Sequence, residues 1–254
     1  MRGVLTRRVI PCLDTRDGRV VKGRKFVGLR DIGEPAELAQ RYDAEGADEI
    51  VLLDIAATPS GRAHALDVVR SIRERLTIPL TVGGGVRSIA DAEALLQSGA
   101  DKVAVNSAAV ATPDLLSRLA DRFGCQCITL ALDASRDAAG GWQVFVRSGA
   151  TPTTRGAIEW AQAAAELGAG EILLTSIDRD GTREGFDLEL LREVSSRVHV
   201  PVVASGGART PADLADAIDA GADAVLAASM FHDGEYTITE TKRYLSARGL
   251  EIRQ

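Results

Sequence analysis

Two aspartates close matched apolar runs, Asp14 in Pro11-Cys12-Leu13-Asp14 and Asp133 in Leu130-Ala131-Leu132-Asp133. Side chains alternate along a strand, so Asp14 shares a face with Cys12 and Ile10, and Asp133 shares one with Ala131 and Thr129. Two carboxylates facing one cavity can divide general-acid and general-base work if their surroundings push their pKa values apart. For either aspartate alone, capping of the following loop is the plainer alternative. Glycine clusters close two other runs, Val82-Gly83-Gly84-Gly85 and Ser205-Gly206-Gly207. One unit after each comes a strand-end hydroxyl, in Asn106-Ser107 and Ala228-Ser229. Glycines let backbone N–H groups approach an anion, and a following helix start adds a favourable dipole. One Gly-Gly pair is explained equally well by a tight turn. Two pairs, each with its hydroxyl partner, predict two phosphate cradles and an elongated substrate with a phosphate at each end.

Other stretches carry charge in patterns that suit the same ligand. Residues 15–34 hold Arg16, Arg19, Lys22, Arg24, Lys25 and Arg30, with Gly18, Gly23 and Gly28 as hinges. Such a segment reads either as a flap closing over an anion or as a solvated basic loop. Residues 135–155 contain Trp142-Gln143-Val144-Phe145-Val146, which suggests a small hairpin. Residues 176–182, Ser-Ile-Asp-Arg-Asp-Gly-Thr, form a dense polar turn within reach of substrate. Counting back by twos from the aspartates puts Arg8 on the inward face, and the same parity places Glu49, Lys102 and Glu171 inward at the opposite end. Buried charges are costly unless paired. These four sum to zero, and they read as a plug or gate on an axial path or as a partly solvated ion-pair cluster.

The elements that must position these residues are legible from alternation. Strand candidates fall at 8–13, 49–54, 79–82, 102–106, 127–133, 171–176, 201–205 and 224–228, with Ala-, Leu- and Glu-rich helical stretches between them. Gly-Ala-Asp or Gly-Ala-Gly recurs at 46–48, 99–101, 168–170 and 221–223, supplying the glycine that ends a helix in a left-handed conformation. Eight strand–helix units predict a single (β/α)8 barrel domain over residues 1–254, with an open doubly wound sheet as the alternative. Residues 79–107 align without a gap on 201–229, with 11 identities in 29 positions. That makes the barrel two half-barrels, each expected to bind what the other binds.

Composition narrows the partners. With 254 residues, 36 acidic and 30 basic side chains, a net charge of −6 and 4% aromatics, the chain lacks the basic footprint and stacking platform of a nucleic-acid or anionic-membrane binder. Three cysteines, Cys12, Cys125 and Cys127, show no metal-ligand spacing and read as small buried thiols in a reducing compartment. The first residues lack an apolar signal segment and no apolar run is long enough to span a bilayer, so a cytoplasmic protein is expected. His64, His199 and His232 are dispersed, and no metal or cofactor fingerprint appears.

Residues 8–14 (Arg-Val-Ile-Pro-Cys-Leu-Asp), 17–23, 82–85, 173–182, 204–207 and 227–229 together closely resemble the cyclase subunits of imidazole glycerol phosphate synthase, over nearly the whole chain. The resemblance implies a histidine-biosynthesis lyase that needs no cofactor. It takes a phosphoribulosyl-formimino aminoimidazole carboxamide ribotide and ammonia to imidazole glycerol phosphate and aminoimidazole carboxamide ribotide. It implies Asp14 and Asp133 as the catalytic pair and Lys22 as the flap lysine. Phosphate ligands would be Gly84, Asn106 and Ser107 at one end, and Asp180, Gly181, Gly207 and Ser229 at the other. Arg8, Glu49, Lys102 and Glu171 would gate ammonia arriving from a glutaminase partner in a heterodimer. The sister aldose–ketose isomerase of the pathway is the runner-up, and a silent bis-phosphate-binding scaffold is the non-enzymatic alternative. The charged base and residues 177–180 argue against the isomerase, and intact Asp14 and Asp133 argue against the scaffold.

Overall fold

A computed structural model describes residues 6–24, 27–55 and 62–253. In chain order the strands are β1 (Arg8–Arg16), β2 (Arg19–Arg24), β3 (Val27–Gly33), β4 (Ile50–Asp54), β5 (Leu80–Gly83), β6 (Lys102–Val105), β7 (Ile128–Arg136), β8 (Trp142–Val146), β9 (Thr151–Gly156), β10 (Glu171–Ser176), β11 (Val202–Ser205) and β12 (Ala224–Ala227). β1, β4, β5, β6, β7, β10, β11 and β12 pair in parallel in that order, and β12 returns to β1, closing an eight-stranded barrel. Helices such as Ile89–Gln97 and Pro211–Asp219 lie between successive strands, as a parallel barrel requires.

Alternation sorts each strand's residues into two cores. In β7, Ile128, Leu130, Leu132 and Ala134 face the helices. The other parity builds the barrel interior, where Ile10, Cys12, Val51, Leu173, Val203 and Leu226 pack together. Asp14 and Asp133 continue these inward rows to the C-terminal mouth, while Arg8 and Glu171 begin them at the base.

Two departures from the expected architecture bear on the site. β1 and β7 run past their expected ends, and each continues into an antiparallel hairpin: β2–β3 folds back on β1, and β8–β9 folds back on β7. The basic segment is therefore largely a hairpin, not a loop. Lys25 of that segment lies outside the described residues. The cysteine expectation also needs correction. Cys12 is buried, but Cys125 is exposed and Cys127 half-buried, because both lie in a tight turn at the base before β7 enters the barrel.

The Gly-Ala-Asp repeats do more than end helices. Asp48 accepts a hydrogen bond from the backbone N–H of Val9 at 2.8 Å, Asp101 from Leu80 at 2.8 Å and Asp223 from Val202 at 3.1 Å. Each aspartate precedes one barrel strand and clamps the start of the strand before it. The fourth copy has Gly170, where an added Cβ would lie 2.2 Å from the carbonyl oxygen of Cys125, so no aspartate fits. Asp48 also takes the buried Lys242 ammonium at 2.8 Å, which ties the C-terminal helix Ile238–Ala247 to the barrel. Asp48→Ala strands that buried cation and a backbone donor, a change that costs about 3–5 kcal/mol. Urea unfolding should show a loss of that order, and a loss below about 1 kcal/mol would contradict the clamp.

Candidate active site

A cavity of about 730 Å³ opens at the C-terminal ends of the barrel strands, large enough for a small-molecule ligand. All ten residues that the sequence places at the mouth line it: Asp14, Lys22, Gly84, Asn106, Ser107, Asp133, Asp180, Gly181, Gly207 and Ser229. Asp14 ends the inward row of β1 and Asp133 that of β7, on opposite sides of the barrel. The Gly84–Ser107 loops follow β5 and β6, and the Gly207–Ser229 loops follow β11 and β12, so the two cradles also oppose each other. At Gly84 an added Cβ would lie 2.3 Å from the carbonyl oxygen of Asp54, and at Gly207 2.2 Å from that of Gly185. Only glycine keeps these loops close-packed with their amides near the cavity.

The two aspartates have unlike neighbours. Lys22 reaches in from β2 and donates to Asp14 Oδ2 at 3.1 Å, with Asp180 Oδ1 at 3.9 Å. Burial opposes the Lys22 charge, but Asp14 and Asp180 outweigh it and raise the ammonium above its ordinary range. The Cys12 thiol lies 3.5 Å from Asp14 Oδ1, and burial first, then Asp14, pushes that thiol well up. Among the described residues no lysine pairs with Asp133. This aspartate accepts from Asn106 Nδ2 at 2.9 Å, which engages the side chain that the family resemblance implies for phosphate. Desolvation deep in the mouth, reinforced by Asp180 and Asp14, pushes the Asp133 carboxyl up to about 7 despite the Asn106 bond. Such a group can give or take a proton near neutrality.

At the base, four charges close into an alternating ring. Arg8 donates to Glu49 at 2.8 Å and to Glu171 at 2.5 Å, and Lys102 donates to Glu49 at 2.9 Å and to Glu171 at 2.8 Å. Thr81 adds a hydroxyl donor to Glu49 at 2.5 Å. Burial works against the ionised Glu171, and Arg8 and Lys102 more than offset it, holding the carboxyl below its ordinary range. Each acid bridges both cations, as charges removed from water require.

Further residues border the site. Thr175, Arg147 and Ser148 also line the cavity. Thr175 is legible by parity, since it follows Glu171 and Leu173 on one face. His232 bonds Tyr42 through Nδ1 at 2.6 Å, and burial first, then Lys22, holds its imidazole down to about 4. It is neutral at physiological pH. Among the described residues no group of three or more His, Cys, Asp or Glu side chains is placed to hold a metal ion. No helix among them is long and apolar enough to cross a membrane.

Comparison with known proteins identifies the family. Residues 8–237 match the model of a family described as histidine biosynthesis protein. The chain is 59% identical over 251 residues to imidazole glycerol phosphate synthase subunit HisF of Dehalococcoides mccartyi strain BAV1, covering 98% of this chain and 99% of that one. The same identity and coverage hold for the proteins of that name from strains 195 and CBDB1.

The raised Asp133 pKa sets a pH dependence of stability. The folded state keeps this proton up to about pH 7, whereas an unfolded aspartate releases it near 3.8. Between those values the unfolded chain binds fewer protons, so the stability contributed by this group is complete below the lower value and lost as pH rises through 7. Asp133→Asn removes the titration. The variant should gain stability over the parent on going from pH 4 to pH 8 in paired urea titrations, and a difference that does not vary with pH would contradict the assignment.

Proposed function

We infer the chemistry of the site from one premise: the chain belongs to the histidine biosynthesis protein family, and it serves as the cyclase subunit of an imidazole glycerol phosphate synthase, a lyase-type enzyme. What carries the inference is the placing of Asp14 and Asp133 on opposite walls of one cavity, between two opposed phosphate cradles. A bis-phosphate stretched between the cradles lays its ribulosyl carbonyl and formimino carbon between the carboxylates. Fixing both ends converts the encounter with ammonia into a positioned reaction.

In this reading ammonia adds to the ribulosyl carbonyl, and Asp133, protonated near neutrality, helps expel the oxygen as water to leave an imine. The imine nitrogen then closes on the formimino carbon. Asp14, within reach of Lys22, takes the proton that the methylene beside the former carbonyl gives up as the ring becomes aromatic. Proton return to the departing nitrogen releases aminoimidazole carboxamide ribotide and leaves imidazole glycerol phosphate. Lys22 belongs to the β2–β3 hairpin, so seating of that arm and alignment of Asp14 are one event. Ammonia comes from a glutaminase partner that docks on the barrel base and delivers it through the Arg8–Glu49–Lys102–Glu171 ring. The interior between ring and aspartates is lined by apolar side chains such as Ile10, Val51 and Leu173, which suit neutral ammonia better than ammonium.

Incubating the chain with the ketose bis-phosphate and an ammonium salt should yield both products by mass spectrometry. Appearance of only the aldose isomer would overturn the cyclase reading. Asp14→Asn and Asp133→Asn should each lower turnover by roughly 10²–10⁴-fold, the usual contribution of a general acid or base, with a much smaller change in substrate affinity. Near-parental turnover in both would refute the acid and base roles of the two aspartates. In the complex with its partner, Lys102→Met should reduce glutamine-dependent turnover more than ammonium-dependent turnover. An equal effect on the two would remove the ring from the path of ammonia.

A further inference from the structure

We propose that the β8–β9 hairpin is a second arm over the site, and that Arg147 at its tip holds the substrate phosphate seated in the Gly84–Ser107 cradle. The inference rests on the bis-phosphate reading above and adds a residue and an element to it.

Several observations converge on Arg147. Its backbone N–H donates to Ser107 Oγ at 2.9 Å, so the tip is fastened to the cradle itself. Arg147 and Ser148 both line the cavity. Both stand at positive φ, +57° and +53°, a left-handed region that side-chain-bearing residues enter at a cost. Non-glycine strain of this kind persists where the surrounding structure imposes it, and here it turns the chain over the mouth between β8 and β9. The Arg147 guanidinium meets no carboxylate among the described residues. Other arginines at the rim do: Arg183 pairs with Glu235, Arg179 with Glu184 at 3.5 Å and Arg30 with Asp233. An exposed guanidinium lining the same cavity as Gly84, Gly85 and Ser107 suits a phosphate dianion, which it can bind through two parallel donors.

The half-barrel duplication gives the arrangement its logic. Each strand that ends in one of the paired aspartates continues into a hairpin, and each hairpin rests on a loop belonging to the other half. The β2–β3 arm places Arg30 against Asp233, at the end of the short helix Ser229–His232. The β8–β9 arm places Arg147 on Ser107, at the start of the short helix Ser107–Ala111. The first arm carries its inward cation to an aspartate, and the second carries its cation to a phosphate cradle. Arg87, exposed beside Gly85 and also lining the cavity, is the rival cation for the same phosphate.

The test uses the full chain and the variants Arg147→Gly, Arg147→Lys and Arg87→Ala. Glycine removes the guanidinium yet accepts the left-handed backbone, so it separates charge from strain. Titration with inorganic phosphate, followed by 31P NMR, reads binding without turnover, and steady-state kinetics with the bis-phosphate and ammonium reads KM against kcat. Arg147→Gly should weaken one of two phosphate sites and raise KM about tenfold, the value of one charged hydrogen bond, with the rise in KM exceeding any fall in kcat. Arg147→Lys should recover part of the loss. Phosphate binding and KM within about twofold of the parent in Arg147→Gly, or a loss found in Arg87→Ala instead, would overturn the proposal. If the parent binds phosphate with this Arg147 dependence but turns over no bis-phosphate, the second arm stands and the cyclase chemistry falls.

Discussion

Lys22 stands 3.1 Å from Asp14, and among the described residues no cation stands against Asp133. A duplicated barrel gives β1 and β7 the same end, an inward carboxylate at the mouth, so any difference between the two must come from what surrounds them. Lys22 brings a positive charge to one. Asn106 brings the other an amide, which fixes its orientation but supplies no net charge, and desolvation then governs. The contrast between the two aspartates depends on the hairpin that carries Lys22 inward.

The same inward rows that end in the aspartates begin at the charge ring. A parallel barrel normally fills its interior with branched apolar side chains, and here it does so only between the two polar layers. The ring is tolerable because each of its four charges meets two of opposite sign with little exposure, from 3% for Glu49 to 18% for Lys102. The clamps of Asp48, Asp101 and Asp223 fix the strand starts from outside that layer. The seam between β7 and β10 lacks the equivalent clamp, because Gly170 lies against the Cys125 backbone. The base is thus held by polar contacts at one end of the barrel, and the two aspartates are held at the other.

Much of this is legible in the sequence. Parity along eight runs places Asp14, Asp133, Arg8, Glu49, Lys102 and Glu171 on inward faces, because a strand has only two faces and the apolar neighbours declare which is which. The repeat locates both cradles. What escapes is long-range or irregular. The aspartate of Gly-Ala-Asp reaches a neighbouring strand some 20 to 40 residues away, and no local pattern announces such a bond. The basic segment resembles a loop because its glycines and charges hide the weak alternation of β2 and β3. Asn106 sits where a phosphate ligand is expected, and only the structure reveals its amide bonded to Asp133. Arg147 follows a recognisable strand, but its cradle lies on another loop, 40 residues earlier.

Everything proposed for the reaction turns on Asp133 carrying a proton near neutral pH while its duplicate across the mouth lies beside Lys22. A carbon-13 NMR titration of aspartate-labelled protein tests this directly, with the Asp133→Asn variant assigning the resonance by its disappearance. The Asp133 side-chain carboxyl should titrate with a midpoint near 7. A midpoint below about 5, toward the ordinary aspartate range, would contradict the assignment, since Asp133 would then be ionised throughout the working range and could not open the reaction as an acid.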